Sequence, residues 1–366
     1  MATRIAVDVR SLAAPHSGIG RYTERLLRHL IPLMQRDDVD WYLYSDRPIS
    51  VEFGPSDGIE IRTFATHNRI FGLLRSQLVF SRWAKRDDID VFWSPRHHLP
   101  LFMDPSVKTV LTIHDLVWKD FPETMQTSNR VLEHILMPAS LRVADRVIAV
   151  SKATANGIAQ AYPQYDKKVS VIYEAADHYT NVVGPSYPFE YFLFVGTIEP
   201  RKNLVNVLAA IQQVLPLIPQ HFVFIGGSGW GQDPRKAVSE ANQSYQARYH
   251  FLGAVSDQVL HSHYAGATGH IMPSLWEGFG LPALEAMQYG IPVIVSHGSA
   301  FPEVVGAAGL YVNPGSVNEI SDAIIKLAND LSTRRVLAEK AIEQSDKFSW
   351  EKAAIETRAL LLDVQV

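Results

Sequence analysis

The chain has 366 residues, 47% of them hydrophobic and 20% charged, with a net charge of −4 and no cysteine. That length suits two domains of ordinary size, and the negative charge argues against a general nucleic-acid binder. The missing cysteines exclude disulfides, a thiolate nucleophile and a cysteine-based zinc site. No run of about 18 apolar residues offers a spanning helix, and no apolar leader follows Met1, so a cytoplasmic protein is expected.

Along the chain, short apolar runs alternate with amphipathic segments, the pattern of parallel sheets covered on both faces. The first half reads as strands at 5–9, 41–44, 59–64, 91–94, 109–113, 146–150 and 169–173, with helices at 20–33, 70–86, 128–144 and 152–161. Residues 177–188 lack periodicity and contain a glycine and two prolines, marking a domain boundary. The count restarts with strands at 191–195, 221–225, 250–252, 269–272 and 292–295, and the last 50 residues read as mostly helical. The expected division is therefore 1–182 for an N-terminal Rossmann-like domain, 190–347 for a second one, and 348–366 for a C-terminal helix. Ligand sites are expected at the carboxyl ends of the strands. Residues 1–182 carry 22 Lys and Arg against 21 Asp and Glu, whereas the remainder carries 12 against 17. The first half is thus the better face for an anionic acceptor or a membrane.

The richest stretch is Trp276-Glu277-Gly278-Phe279-Gly280-Leu281-Pro282-Ala283-Leu284-Glu285. Pro282 fits the first turn of a helix, so Glu277 falls in a strand-to-helix loop and Glu285 about two turns later. Gly278 and Gly280 let bare amides approach a ligand, and the helix start favours an anion. Ionised carboxylates beside such a site accept hydrogen bonds from sugar hydroxyls. Upstream, Arg201 and Lys202 sit at a helix start, where the dipole prefers acids; cations placed against that preference suit a diphosphate to be neutralised. Gly18 and Gly20 form a glycine-bearing loop after the first strand, His114-Asp115 ends another, and Arg96-His97-His98 follows Trp93-Ser94-Pro95.

The stretch 276–285 matches the glutamate-x7-glutamate motif of retaining glycosyltransferases of the GT-B fold, family 4, and the resemblance extends over essentially the whole chain. It implies two Rossmann-like domains facing each other across a cleft, with the C-terminal helix crossing back to the first. Its implied sites follow the family motifs. His114, Glu277 and Lys202 are catalytic, while Gly18, Gly20, Arg201, Lys202, Gly278, Phe279, Gly280 and Leu281 hold the donor sugar and diphosphate. Val255 and Glu285 hold the nucleoside, with Arg96 and His97 on the acceptor side, the last two standing equally well as structural residues. The family usually has arginine at the position of Thr197, so Arg201 is expected to supply that charge.

The implied reaction is retaining transfer of a hexose, with no cofactor and no metal, from a nucleotide-sugar donor to a saccharide or polyprenyl-diphosphate-linked acceptor. Gly196–Asn203 and 93–101 look most like bacterial mannosyltransferases of O-antigen and exopolysaccharide assembly, which points to GDP-mannose. A UDP- or dTDP-sugar transferase and a non-catalytic nucleotide-sugar-binding module are the rivals. Asp38-Val39-Asp40 and Asp88-Ile89-Asp90 imitate a metal-binding Asp-x-Asp but lie in connectors leading into strands, so they read as solvated turns. Residues 69–86 read as a core helix with a basic outer face or, alternatively, as a helix in a membrane interface. Peripheral contact with the inner face of the cytoplasmic membrane follows from the second reading.

Overall fold

The computed structural model describes residues 2–13, 18–53, 58–65, 69–177, 179–231, 233–239 and 243–364, without the side chains of 69–71 and a few others. Ser17 in the glycine segment, His178 in the expected boundary, and the side chains of Ile70 and Phe71 lie outside the described residues. The chain forms two compact units. Residues 1–119, 126–174 and 349–366 make the first, and residues 120–125 and 175–348 the second.

The first unit holds a seven-stranded sheet of β1 (Thr3–Asp8), β2 (Val39–Ser45), β3 (Ile59–Thr63), β4 (Val91–Ser94), β5 (Lys108–Ile113), β6 (Arg146–Ala149) and β7 (Val169–Val171). All pairs are parallel, in the order β3-β2-β1-β4-β5-β6-β7. Its helices are α1 (Gly18–Met34), α2 (Arg69–Arg86), α3 (Val117–Asp120), α4 (Thr127–Val143) and α5 (Lys152–Ala161). The inner strands are unbroken apolar runs because helices cover both faces; β4, for instance, is buried at all four residues. On α2, Leu73, Phe80 and Ala84 face the core, and Trp83 packs on Tyr44 and Phe64. Leu74, Arg75, Leu78, Arg82 and Lys85 form its exposed stripe. Trp83 therefore belongs to the core side, not to an interfacial face.

The second unit holds six parallel strands: β8 (Tyr191–Val195), β9 (His221–Ile225), β10 (Tyr249–Gly253), β11 (Gly269–Met272), β12 (Val293–Ser296) and β13 (Gly309–Val312). Their order, β10-β9-β8-β11-β12-β13, repeats the pattern of the first sheet. The helices are α6 (Leu204–Val214), α7 (Pro234–Ser239), α8 (Asp257–Gly266), α9 (Leu281–Gln288), α10 (Phe301–Val304), α11 (Val317–Asn329) and α12 (Leu331–Ser345). The chain then returns through α13 (Trp350–Asp363), which belongs to the first unit and packs along α1. There Trp350 meets Tyr22, and Arg358 pairs with Asp37.

Three details differ from the sequence reading. Strand β13 was not expected, because its half-buried Gly-Leu-Tyr-Val shows little contrast with the Ala-Ala before it. Gly18 and Gly20 lie inside the first turn of α1 rather than in a loop before it. The hand-over between units falls at Glu174/Ala175, ahead of the expected 182, because the following residues already belong to the second unit. Gln288 Nε2 donates to the Ala176 carbonyl at 3.1 Å, and the Tyr179 ring lies 4.0 Å from that of His261.

Candidate active site

Each sheet reverses its strand order once, between β1 and β4 and between β8 and β11. The carboxyl ends of strands at such a switch point open a crevice where α/β sheets bind ligands.

In the second unit the loops leaving β8 and β11 are stitched together. Leu275 N–H donates to the Arg201 carbonyl at 2.9 Å, and Asn203 Nδ2 to the Pro273 carbonyl at 3.0 Å. Asn203 takes a left-handed conformation (φ 59°), which ends the short turn Pro200–Lys202 and opens α6. That geometry turns both preceding cations onto one carboxylate. Lys202 Nζ lies 2.7 Å from Glu277 Oε1, and Arg201 Nη1 lies 2.8 Å from Oε2. Arg201 also reaches Glu199 at 2.7 Å and the Trp276 carbonyl at 2.8 Å. The loop after β9 closes in as well: a Cβ on Gly226 would lie 2.0 Å from the Gly196 carbonyl oxygen, so only glycine fits there.

Glu277 and Lys202 are both more than nine-tenths buried. Burial alone would raise the Glu277 pKa, but the charges of Arg201 and Lys202 outweigh it and bring it down to about 2. Lys202 is also shifted below its ordinary value, since burial outweighs the attraction of Glu277 and Arg201 adds repulsion. Glu277 on its own would raise the lysine; burial reverses the direction, and the neighbouring guanidinium of Arg201 adds to it. One carboxylate between a buried lysine and a partly buried arginine leaves an excess of positive charge that an incoming anion can take up.

Past Glu277 the loop ends at Gly280, in a left-handed conformation (φ 97°), which is the N-cap of α9. A Cβ there would fall 2.9 Å from the Phe301 ring. Gly278 is buried, and Phe279 turns its side chain inward against Phe348, so that side chain is not offered to a ligand. Leu281 opens α9. Glu285, on the same helix, is buried and accepts a hydrogen bond from Tyr264 Oη at 2.8 Å. Val255 is partly buried in the turn between β10 and α8.

The first unit brings together another set. His114, at the end of β5, has both ring nitrogens engaged: Nδ1 lies 2.9 Å from Glu174 Oε1, and Nε2 lies 3.0 Å from the Pro95 carbonyl. The Tyr22 ring of α1 meets it edge-on at 4.8 Å. Both partners are oxygen atoms, so the ring is held from two sides. His97 faces the backbone of His114, whose N–H donates to His97 Nε2 at 3.1 Å. Its proton therefore sits on Nδ1, towards Glu133. Burial lowers the basicity of His97, but the Glu133 charge and hydrogen bond outweigh this and raise its pKa. His98 also contacts Glu133, at 3.1 Å, yet burial wins there and lowers it. His97 thus buttresses the His114 backbone, in keeping with the structural one of its two expected readings. Arg96, between these loops, is partly buried.

Glu174, Glu133, Tyr264 and the Asp8–Arg10 pair escaped the sequence reading. Each lies far in sequence from the group it holds, or, for Asp8–Arg10, within a strand-end run that no motif marks. The two Asp-x-Asp runs sit at the amino ends of β2 and β4, the opposite end of the sheet, where Arg4 meets Asp88 at 3.2 Å and Asp90 at its backbone. Among the described residues no group of three or more His, Asp and Glu side chains is placed to hold a metal ion.

Two Rossmann-like units in one chain, each a parallel sheet covered by helices, are the architecture of the GT-B fold. Two family models divide the chain between them: "Glycosyltransferase Family 4" over residues 16–179 and "Glycosyl transferases group 1" over residues 183–344. The O-antigen chain mannosyltransferase B of Escherichia coli is 31% identical over 97% of this chain and 98% of its own length. The chain belongs to this glycosyltransferase family. The O-antigen chain mannosyltransferase RfbU of Salmonella typhimurium is 27% identical over 64% of this chain and 66% of its own length. Among solved structures, a sucrose-phosphate synthase from Thermosynechococcus elongatus superposes with a TM-score of 0.77 at 20% identity, covering 100% of this chain and 99% of that one. Anabaena HepE, solved with UDP and glucose, gives 0.70 at 20% identity over 99% and 100%.

Proposed function

We propose that this glycosyltransferase moves mannose from GDP-mannose, with retention of configuration, to a saccharide or polyprenyl-diphosphate-linked acceptor during surface-polysaccharide assembly. The observation that carries the reading is the meeting of Lys202 and Arg201 on Glu277. Two cations, one buried and one partly so, suit the charge that develops on a departing diphosphate, the role a divalent ion plays in other transferases, and preorganised charge is worth most in such a site. Glu277 keeps lone pairs for the hydroxyls of the transferred sugar, while the backbone amides from Gly278 to Leu281 approach its phosphate. Glu285 and the turn at Val255 take the nucleoside.

In this reading the bond from the anomeric carbon to the phosphate oxygen breaks first, and the cations hold the leaving charge. The acceptor hydroxyl then attacks from the same face and passes its proton to the departing phosphate. His114 acts by position, because Glu174 and Pro95 occupy both of its nitrogens. The mannose assignment is supported by the names of the relatives at 31% and 27% identity. A screen of nucleotide sugars for slow hydrolysis tests it: release of GDP from GDP-mannose is expected, and turnover of a UDP-sugar with GDP-mannose inert would refute the donor.

The same proposal places the protein in the cytoplasm, against the inner membrane face. Among the described residues no helix is long and apolar enough to cross a membrane. Contact at the surface is supported by exposed Leu74 and Leu78 among Arg75, Arg82 and Lys85, with exposed Phe102 nearby, since Leu101 N–H bonds Gln77 of α2. Flotation with anionic vesicles that salt reverses is expected; no flotation at low salt would remove this contact.

A further inference from the structure

At the switch point of the first unit, β1 and β4 pair up to Val7 opposite Trp93, and the chains that follow spread over the end of the sheet. Several charged groups gather there, and all but one have a partner. Arg10 is fully used: its Nε lies 2.9 Å from Asp8 Oδ1, its Nη1 lies 2.6 Å from Ser76 Oγ, and its plane covers Phe80. Asp46 has Arg47 at 3.4 Å, and Glu133 takes His97 and His98. Arg96 is the exception. It is partly buried two residues beyond β4, and its guanidinium makes no hydrogen bond or ion pair among the described residues.

Burial, followed by the like charge of Arg10, pulls the Arg96 pKa below the ordinary arginine value, against the weaker pull of Asp8, Asp46 and Glu133. Those three carboxylates already have partners of their own. A partly buried guanidinium beside another one, without a counter-ion, is costly. Its planar fork matches a phosphate or a carboxylate in a way that no neutral hydroxyl does.

We infer that Arg96 binds an oxyanion, phosphate or carboxylate, carried by the acceptor, and that this enzyme selects a charged acceptor over a neutral one. The inference rests on the transferase reading for the word acceptor, but the anion site itself does not. Calorimetry reads the site without turnover: inorganic phosphate is titrated into the full chain saturated with GDP, so that the second unit is already filled. Binding is expected in the wild type, about tenfold weaker in Arg96→Met and intermediate in Arg96→Lys. Melting temperatures of both variants confirm that they fold.

Transfer is then compared for a sugar phosphate, a uronate and the matching neutral sugar, which separates phosphate from carboxylate. The wild type is expected to favour one charged acceptor by about tenfold in kcat/KM, and Arg96→Met to lose that preference. Equal use of charged and neutral acceptors, or phosphate binding untouched in Arg96→Met, overturns the inference. Phosphate bound through Arg96 with no nucleotide sugar turned over would instead sink the transferase reading and leave the anion site standing.

Discussion

The two units place charge at the same topological position and resolve it in different ways. At the β8/β11 switch point a single carboxylate, Glu277, lies between two cations from the neighbouring loop, and all three side chains are linked. At the β1/β4 switch point Asp8 is matched by Arg10, while Arg96 has no such match. The first arrangement is a closed set that an anion must enter by competing with Glu277. The second leaves one cation waiting. Repetition of a fold therefore does not repeat its chemistry; the loops after equivalent strands decide what each crevice binds.

The largest effect is expected from breaking the closed set. Lys202→Met should lower transfer by about a thousandfold, as removal of a preorganised donor to a developing anion does. Arg201 still holds Glu277, so the variant should fold, and its melting curve checks this. A variant with wild-type kcat would remove Lys202 from the leaving-group site.

A smaller effect tests the first unit. Glu174→Gln keeps the shape beside His114 but withdraws the carboxylate charge from Nδ1. We expect kcat to fall roughly tenfold through misplacement of the ring, with GDP affinity unchanged, because the nucleotide groups lie in the other unit. A change in GDP affinity with kcat intact would contradict a positioning role for Glu174.

The same contrast explains what could be read from the sequence. The second-unit site is carried by two short runs, Gly196–Asn203 and 276–285, each leaving one strand, so local pattern together with the family resemblance brings Lys202, Arg201 and Glu277 into view. The alternating apolar runs likewise gave both parallel sheets, β13 excepted. The first-unit site is assembled from β1, β4, β5, α4 and the chain at Glu174, and its contacts span 17 to 60 residues. No local pattern announces such pairings. His97 illustrates the limit: nothing next to it in the sequence shows that it accepts the backbone N–H of His114. Gly18 and Gly20 had the spacing of a loop but begin a helix, since a glycine pair is compatible with both.

The central claim is that the cations on Glu277 are those that receive the donor's diphosphate, and GDP binding to Glu277→Gln tests it most directly. Calorimetry on the full chain should show GDP binding about tenfold tighter in Glu277→Gln than in the wild type, because the competing carboxylate charge is gone. Transfer should be lost in the same variant. GDP affinity that is unchanged or weakened in Glu277→Gln would contradict the account, since Lys202 and Arg201 would then be bound to Glu277 for structure alone.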